Sequence, residues 1–242
     1  MFAIILAAVP RAAHADAFVI NMTPGWDLEM TAMSDYIVRG ISQTEGRPSV
    51  GATAVYTVAN GWYAGASTER SAVGGQNVET DYVGGWKTAI TPTLNYNIGL
   101  VYQTYPFSQF HAQNNVELQN IINYTKPWGT LIAALAVQPR GAVTIGAQTY
   151  SSLGADFNLP GKFTFGGRIG FLTSSNHRLQ ANYFDWTATL ARDMGHNTTI
   201  SAQYTGESVH CDGSTGLVGD DGGGCQPHSG GNRFVILLNF AF

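Results

Sequence analysis

The chain has 242 residues, with 12 Lys and Arg against 16 Asp and Glu, a formal charge of -4 and only 12% charged residues. It has no basic stripe to neutralise phosphates, which argues against a nucleic-acid partner. A mean hydropathy of -0.03, 29 Gly and 12% aromatic residues fit neither a typical soluble enzyme nor a helical membrane protein, whereas half-apolar strands average to such values.

In chain order, residues 1–9 form a short apolar run, followed by the small-x-small patterns Ala13-His14-Ala15 and Ala15-Asp16-Ala17. This predicts a secretory signal peptide over residues 1–17, with one domain over 18–242. No Lys or Arg precedes the run, so the start of the signal is expected upstream of Met1. The run is too short to span a bilayer, and no later stretch offers about 18 uninterrupted apolar residues. A membrane location therefore calls for a barrel.

Alternation at period two then recurs along the chain. Trp26, Leu28, Met30 and Ala32 oppose Asp27, Glu29, Thr31 and Met33, and this first strand is expected to run on toward Arg39. A second strand covers 49–58 and turns at Asn60-Gly61. A third starts at Trp62, and a fourth sets Val78, Thr80, Tyr82 and Trp86 against Glu79, Asp81, Val83 and Lys87, ending near Thr91-Pro92. The fifth is the cleanest, with Leu94, Tyr96, Ile98, Leu100 and Tyr102 opposite Asn95, Asn97, Gly99 and Gln103. The sixth opposes Val116, Leu118, Ile122 and Tyr124 to Asn115, Glu117, Gln119 and Asn123, and turns at Pro127-Trp128-Gly129.

A seventh strand over 130–138 and an eighth over 142–151 have faces blurred by Ala and Gly. The ninth carries Phe163, Phe165, Ile169 and Phe171 against Thr164 and Arg168; the tenth, Phe184, Trp186, Ala188 and Leu190 against Tyr183, Asp185, Thr187 and Thr189; the eleventh, Ile200, Ala202 and Tyr204 against Thr199, Ser201 and Gln203. The last strand, over 233–242, puts Phe234, Ile236, Leu238, Phe240 and Phe242 on one wholly apolar face. A strand that ends on an aromatic carboxyl-terminal residue resembles the closing strand of Gram-negative outer-membrane proteins, where it serves as an assembly signal.

Twelve strands is an even number, as bacterial single-chain barrels have, and the connections alternate between tight turns and longer loops at about 40–48, 71–76, 105–113, 173–180 and 207–231. Only Pro139-Arg140-Gly141 interrupts the rhythm. A soluble sandwich has no reason to produce it, and no repeat of 20–50 residues signals a propeller. The expected fold is all-β, a transmembrane antiparallel up-and-down barrel.

Ser34-Asp35-Tyr36-Ile37-Val38-Arg39-Gly40-Ile41-Ser42-Gln43 resembles the signature Ser-Asp-Tyr-x-x-Arg-Gly-Ile-Ser-Gln of the TorF family of porins, also called the Gcw_chp family. Gly61-Trp62-Tyr63-Ala64-Gly65 is similar to that family's next strand start, and residues 102–106 to its Tyr-x-Thr-Tyr-Pro stretch. The resemblance implies an outer-membrane barrel classed as a porin by its shape, with no particular substrate. Val38 stands where the pattern has an aromatic residue, and the long last loop is not part of it. Asp35 and Arg39 share a strand face and could pair across a lumen mouth, or serve only to fix the loop's geometry.

If the apolar series face lipid, Asp27, Glu29, Asp35, Glu69, Glu79, Asp81, Glu117 and Asp185 point inward with Arg39, Lys87, Arg168 and Arg233, which leaves the interior net negative. Twelve strands lie between the filled eight-stranded and open sixteen-stranded barrels. The expected function is a porin-like channel in the outer membrane of a Gram-negative bacterium, passing small hydrophilic solutes with a mild preference for cations. The alternative is a closed barrel with a structural or loop-mediated adhesion role. Expected partners are outer-membrane lipid and lipopolysaccharide, the barrel-assembly machinery through Phe242, and the solutes themselves.

Trp26, Trp62, Trp86, Trp128, Trp186 and Tyr124 fit interfacial girdles; a sugar-stacking track would need the same rings turned inward. Cys211 and Cys225 are expected to form a disulfide in an oxidising compartment. With His210 and His228 they are also a conceivable zinc set, and Asp220-Asp221 hints faintly at calcium. No cofactor is expected. Ser174, Ser175, Asn176 and His177 supply hydrolase residue types, but consecutive residues in a loop read more simply as a polar connection, and no enzyme is expected.

Overall fold

A computed structural model describes residues 22–71, 78–107, 114–139, 146–175, 182–208 and 231–242. The expected signal peptide, Cys211, Cys225 and the residues grouped with them, and Asn176 and His177 lie outside the described residues.

Twelve antiparallel strands close into a barrel: β1 (Gly25–Met33), β4 (Ser49–Thr57), β5 (Trp62–Arg70), β6 (Val78–Thr91), β7 (Leu94–Thr104), β8 (Asn115–Lys126), β9 (Gly129–Gln138), β10 (Gln148–Leu159), β11 (Phe163–Ser174), β12 (Tyr183–Gly195), β13 (Thr198–Glu207) and β14 (Arg233–Ala241). Two short strands, β2 (Ile37–Val38) and β3 (Ile41–Ser42), form a separate two-stranded ribbon. Each barrel strand pairs with its sequence neighbour, and β14 pairs with β1, so no edge is left unpaired. The closing seam runs from Glu29↔Ala241 to Met33↔Leu237, and the Phe242 N–H extends it to the Leu28 carbonyl.

The alternating faces sort as the side chains require. Phe234, Ile236, Ile169, Leu153, Phe184 and Leu100 are exposed on the outside, and Val235, Leu237, Tyr150, Leu172, Tyr183 and Asp185 are buried inside. All five tryptophans stand at outward positions. Trp26 packs on Tyr56 at 5.1 Å and Trp128 on Phe157 at 5.9 Å, both near the short turns. That arrangement removes the inward stacking track and matches a girdle.

The short turns fall where expected. At Asn60-Gly61, Gly61 takes φ 89°, and any β-carbon there would collide with the Lys87 carbonyl.

Two expectations need correction. The eighth strand, expected over 142–151, is β10 at Gln148–Leu159; residues 142–145 lie outside the described residues. Gly154 and Ala155 within it dilute the alternation that would have located it. The first strand does not run on toward Arg39. It ends at Met33, and the chain folds into the barrel.

Candidate lumen site: an inward hairpin and the wall it meets

The inward segment is the ten-residue signature itself. At its base the Ser34 N–H donates to the Ile236 carbonyl (2.9 Å) and Ser34 Oγ accepts from the Ile236 N–H (3.0 Å), continuing the closing seam by one more residue. The chain then forms a tight hairpin, with Ile37↔Ser42 and Val38↔Ile41 paired. Its two-residue turn, Arg39-Gly40, has φ 51° and 80°. Positive φ at both positions is the geometry of a type I′ turn, which matches the twist of the flanking strands. A ribbon this short is marginal alone, so its position is set by what it touches.

Nearly every signature residue has a partner on the wall or within the hairpin. Asp35 is buried and accepts from the hydroxyls of Ser42 (2.6 Å) and Thr44 (2.7 Å) and from Arg233 Nη1 on β14 (3.2 Å). The Tyr36 hydroxyl donates to Glu79 Oε1 on β6 at 3.0 Å, and Tyr105 also bonds Glu79. Burial first, then the Glu79 charge, pushes both phenols well above the usual tyrosine range, so they stay protonated donors. Ile37 packs on Val235 and Leu237. Ile41 packs across the lumen against Ala136, Tyr150, Leu172 and Tyr183.

The tip is held by charge. Arg39 Nη2 reaches both carboxylate oxygens of Glu117 on β8, at 2.8 and 2.7 Å, while its guanidinium lies 4.3 Å from the centre of the Tyr150 ring. Tyr150 donates to Asp185 (3.1 Å), which also accepts from Arg168 (3.2 Å). Gly40 sits against the Gly206 carbonyl and the β-carbons of Glu207 and Asp185. Asp35 and Arg39 therefore do not pair with each other. The turn points them to opposite walls, Asp35 to β14 and Arg39 to β8, and the hairpin bridges the barrel.

The other expected lumen residues face inward along the wall. Asp27 and Glu29 stand part-exposed toward the short-turn end, Lys87 is buried there over the Tyr63 ring (5.9 Å), and Glu69 and Asp81 lie part-buried beside Glu79 near the long-loop end. The hairpin thus gathers Asp35, Arg39, Glu79, Glu117, Arg168, Asp185 and Arg233 into one network. Sequence reading missed Asp156 and Glu207, both buried at inward positions, and Tyr36, Tyr105 and Tyr150. Asp156 sits in the blurred strand, and Glu207 looks like the start of a loop. For Tyr36, the signal available was the signature.

Among the described residues no group of three or more His, Cys, Asp and Glu is arranged to hold a metal ion. Ser174 and Ser175 tie strands together: the Ser174 N–H donates to Asn182, and Ser175 Oγ accepts from the Ala147 N–H.

Solved structures of similar fold include porins. The KdgM porin aligns with a TM-score of 0.58 at 8% identity, covering 90% of this chain and 99% of its own. The same porin in complex with disordered oligogalacturonate gives 0.57 at 10% identity, covering 90% and 99%. The NanC porin gives 0.57 at 9% identity, covering 89% and 98%. At these identities the likeness concerns the fold. No curated protein matches the chain by sequence. The model of a family described as bacterial protein of unknown function, Gcw_chp, matches residues 26–222.

Proposed function

The chain belongs to the Gcw_chp family, and on that footing we propose that it is an outer-membrane channel of a Gram-negative bacterium through which small hydrophilic solutes diffuse passively. The observation that carries this reading is the division of the closed barrel into two faces, apolar and aromatic outside, charged and amide-bearing inside. The fold shared with porins supports it, and the TorF name is part of the proposal, resting on the signature. The outward face meets outer-membrane lipid and lipopolysaccharide, and Phe242 is offered to the barrel-assembly machinery.

A charge on that outer face is costly. Ile169, exposed mid-strand on β11, is the position to test: Ile169→Arg is expected to destabilise the refolded barrel by about 2–4 kcal/mol in lipid, as denaturant titration in vesicles would show. An unchanged midpoint would remove the membrane assignment of this face.

Inward carboxylates outnumber inward cations, so the channel prefers cations mildly. Single-channel recording of the refolded mature protein under a salt gradient tests both statements. Discrete steps with a cation-favouring reversal potential are expected, and anion selectivity would overturn the electrostatic part. The second reading, a closed barrel acting through its loops, draws on one observation: the hairpin crosses the lumen and is tied at both ends by ion pairs. A folded, heat-modifiable but silent protein would favour it.

A further inference from the structure

The hairpin fills the barrel unevenly. Along β12–β14 the inward side chains Asp185, Thr187, Thr189, Gln203, Val235 and Asn239 are all buried. Along β7 and β8 the inward Asn95, Asn97, Gln103, Asn115, Gln119 and Asn123 all keep partial exposure. On β7 and β8 the partly exposed inward side chains are carboxamides, in groups toward the two ends of the wall, with the buried Val101, Glu117 and Ile121 between them. The register sets Asn95 beside Asn123 and Gln103 beside Asn115.

Some of these amides are committed. Asn97 Oδ1 accepts from Tyr63 (3.0 Å), Asn115 Nδ2 donates to Gln103 (2.7 Å), and Gln119 Nε2 donates to Glu117 (2.9 Å). Each carboxamide has two donor hydrogens and an acceptor oxygen, so capacity is left over, and the buried Asn123 Oδ1 has no hydrogen-bond partner. Amides spaced along two strands offer a hydroxyl-rich molecule successive, exchangeable hydrogen bonds that replace its water. An anion can accept from the same N–H groups but leaves the amide oxygens without a donor, and it also meets Asp81 and Glu117 on the same side of the lumen.

Resting on the channel reading above, we infer that the β7–β8 amide wall is the conduction path for small uncharged polyhydroxylated solutes such as simple sugars and polyols, and that it discriminates against sugar acids. The test is osmotic swelling of proteoliposomes holding the full mature barrel, with a neutral hexose, the matching hexuronate and a polyethylene glycol of similar size as probes. The neutral sugar is expected to enter several-fold faster than the other two. The pair Gln119→Leu with Asn123→Leu is expected to lower sugar flux several-fold relative to potassium conductance in the same preparation. Asn120→Leu, which removes an amide from the outer face of the same strand, controls for folding and is expected to leave the sugar flux alone. Potassium conductance without preference for the sugar, or without loss of it in the paired variant, overturns this inference and leaves the channel. A barrel passing neither ions nor sugar overturns both.

Discussion

Arg39→Ala is expected to raise the single-channel conductance several-fold, as bursts of a larger open level, and to strengthen the preference for cations. Arg39 is the polar tie between the hairpin tip and the far wall; Asp35 and Tyr36 hold only the base. Its side chain and that of Glu117 are 12% and 10% exposed, so removing the guanidinium leaves a carboxylate largely unsolvated where it stands. Breaking such a pair from one side costs about 3–5 kcal/mol when fully buried. Glu117 also accepts from Gln119 and lies beside the lumen, so about 3 kcal/mol is a fair expectation here, before the lost contact with Tyr150. That shifts the balance between docked and undocked tip about a hundredfold, since each 1.4 kcal/mol is a factor of ten. Arg39→Lys should fall between, because an ammonium keeps the charge but neither the planar fork nor the stacking on Tyr150. A double-mutant cycle with Glu117→Ala would isolate the pair. Unchanged conductance in Arg39→Ala would mean that the hairpin does not limit the path.

The barrel was legible in the sequence because a strand with lipid on one side and polar contents on the other must alternate, and Phe234, Ile236, Leu238 and Phe240 do so without interruption. Legibility failed where the side chains carry no contrast: Gly154 and Ala155 hide β10 and with it Asp156. It failed differently at the signature. There Asp35, Ile37, Arg39 and Ile41 would share one face of an extended strand with acid, base and aliphatic residues mixed, a pattern that matches neither lipid nor water. The residues make sense once their partners are known, and those partners are distant in sequence: Arg233 lies 198 positions from Asp35, and Glu117 lies 78 from Arg39. Such contacts exist only after the barrel closes. The inward charges were therefore readable as a set, and their pairing was not.

The larger disturbance is expected from Gly40→Val. Gly40 has φ 80°, and a β-carbon there would stand 2.7 Å from the Gly206 carbonyl oxygen, 2.9 Å from Glu207 Cβ and 3.0 Å from Asp185 Cβ. A left-handed backbone costs an ordinary residue about 1–2 kcal/mol and is a genuine outlier for a β-branched one. Overpacking adds about 1–3 kcal/mol more when the neighbours cannot move, and here one of them is the backbone of β13. The barrel strands make none of these contacts for their own pairing, so the strain is relieved by expelling the hairpin. The readout is thiol labelling of Ile37→Cys in a background with Cys211 and Cys225 replaced by Ser. In the native hairpin that position packs between Val235 and Leu237 and should react slowly. With Gly40→Val it should react at least tenfold faster, while the heat-modifiable barrel persists and conductance rises with it. Slow labelling in a folded Gly40→Val barrel would show that the wall gives way to the hairpin, and would reverse the order of rigidity argued here.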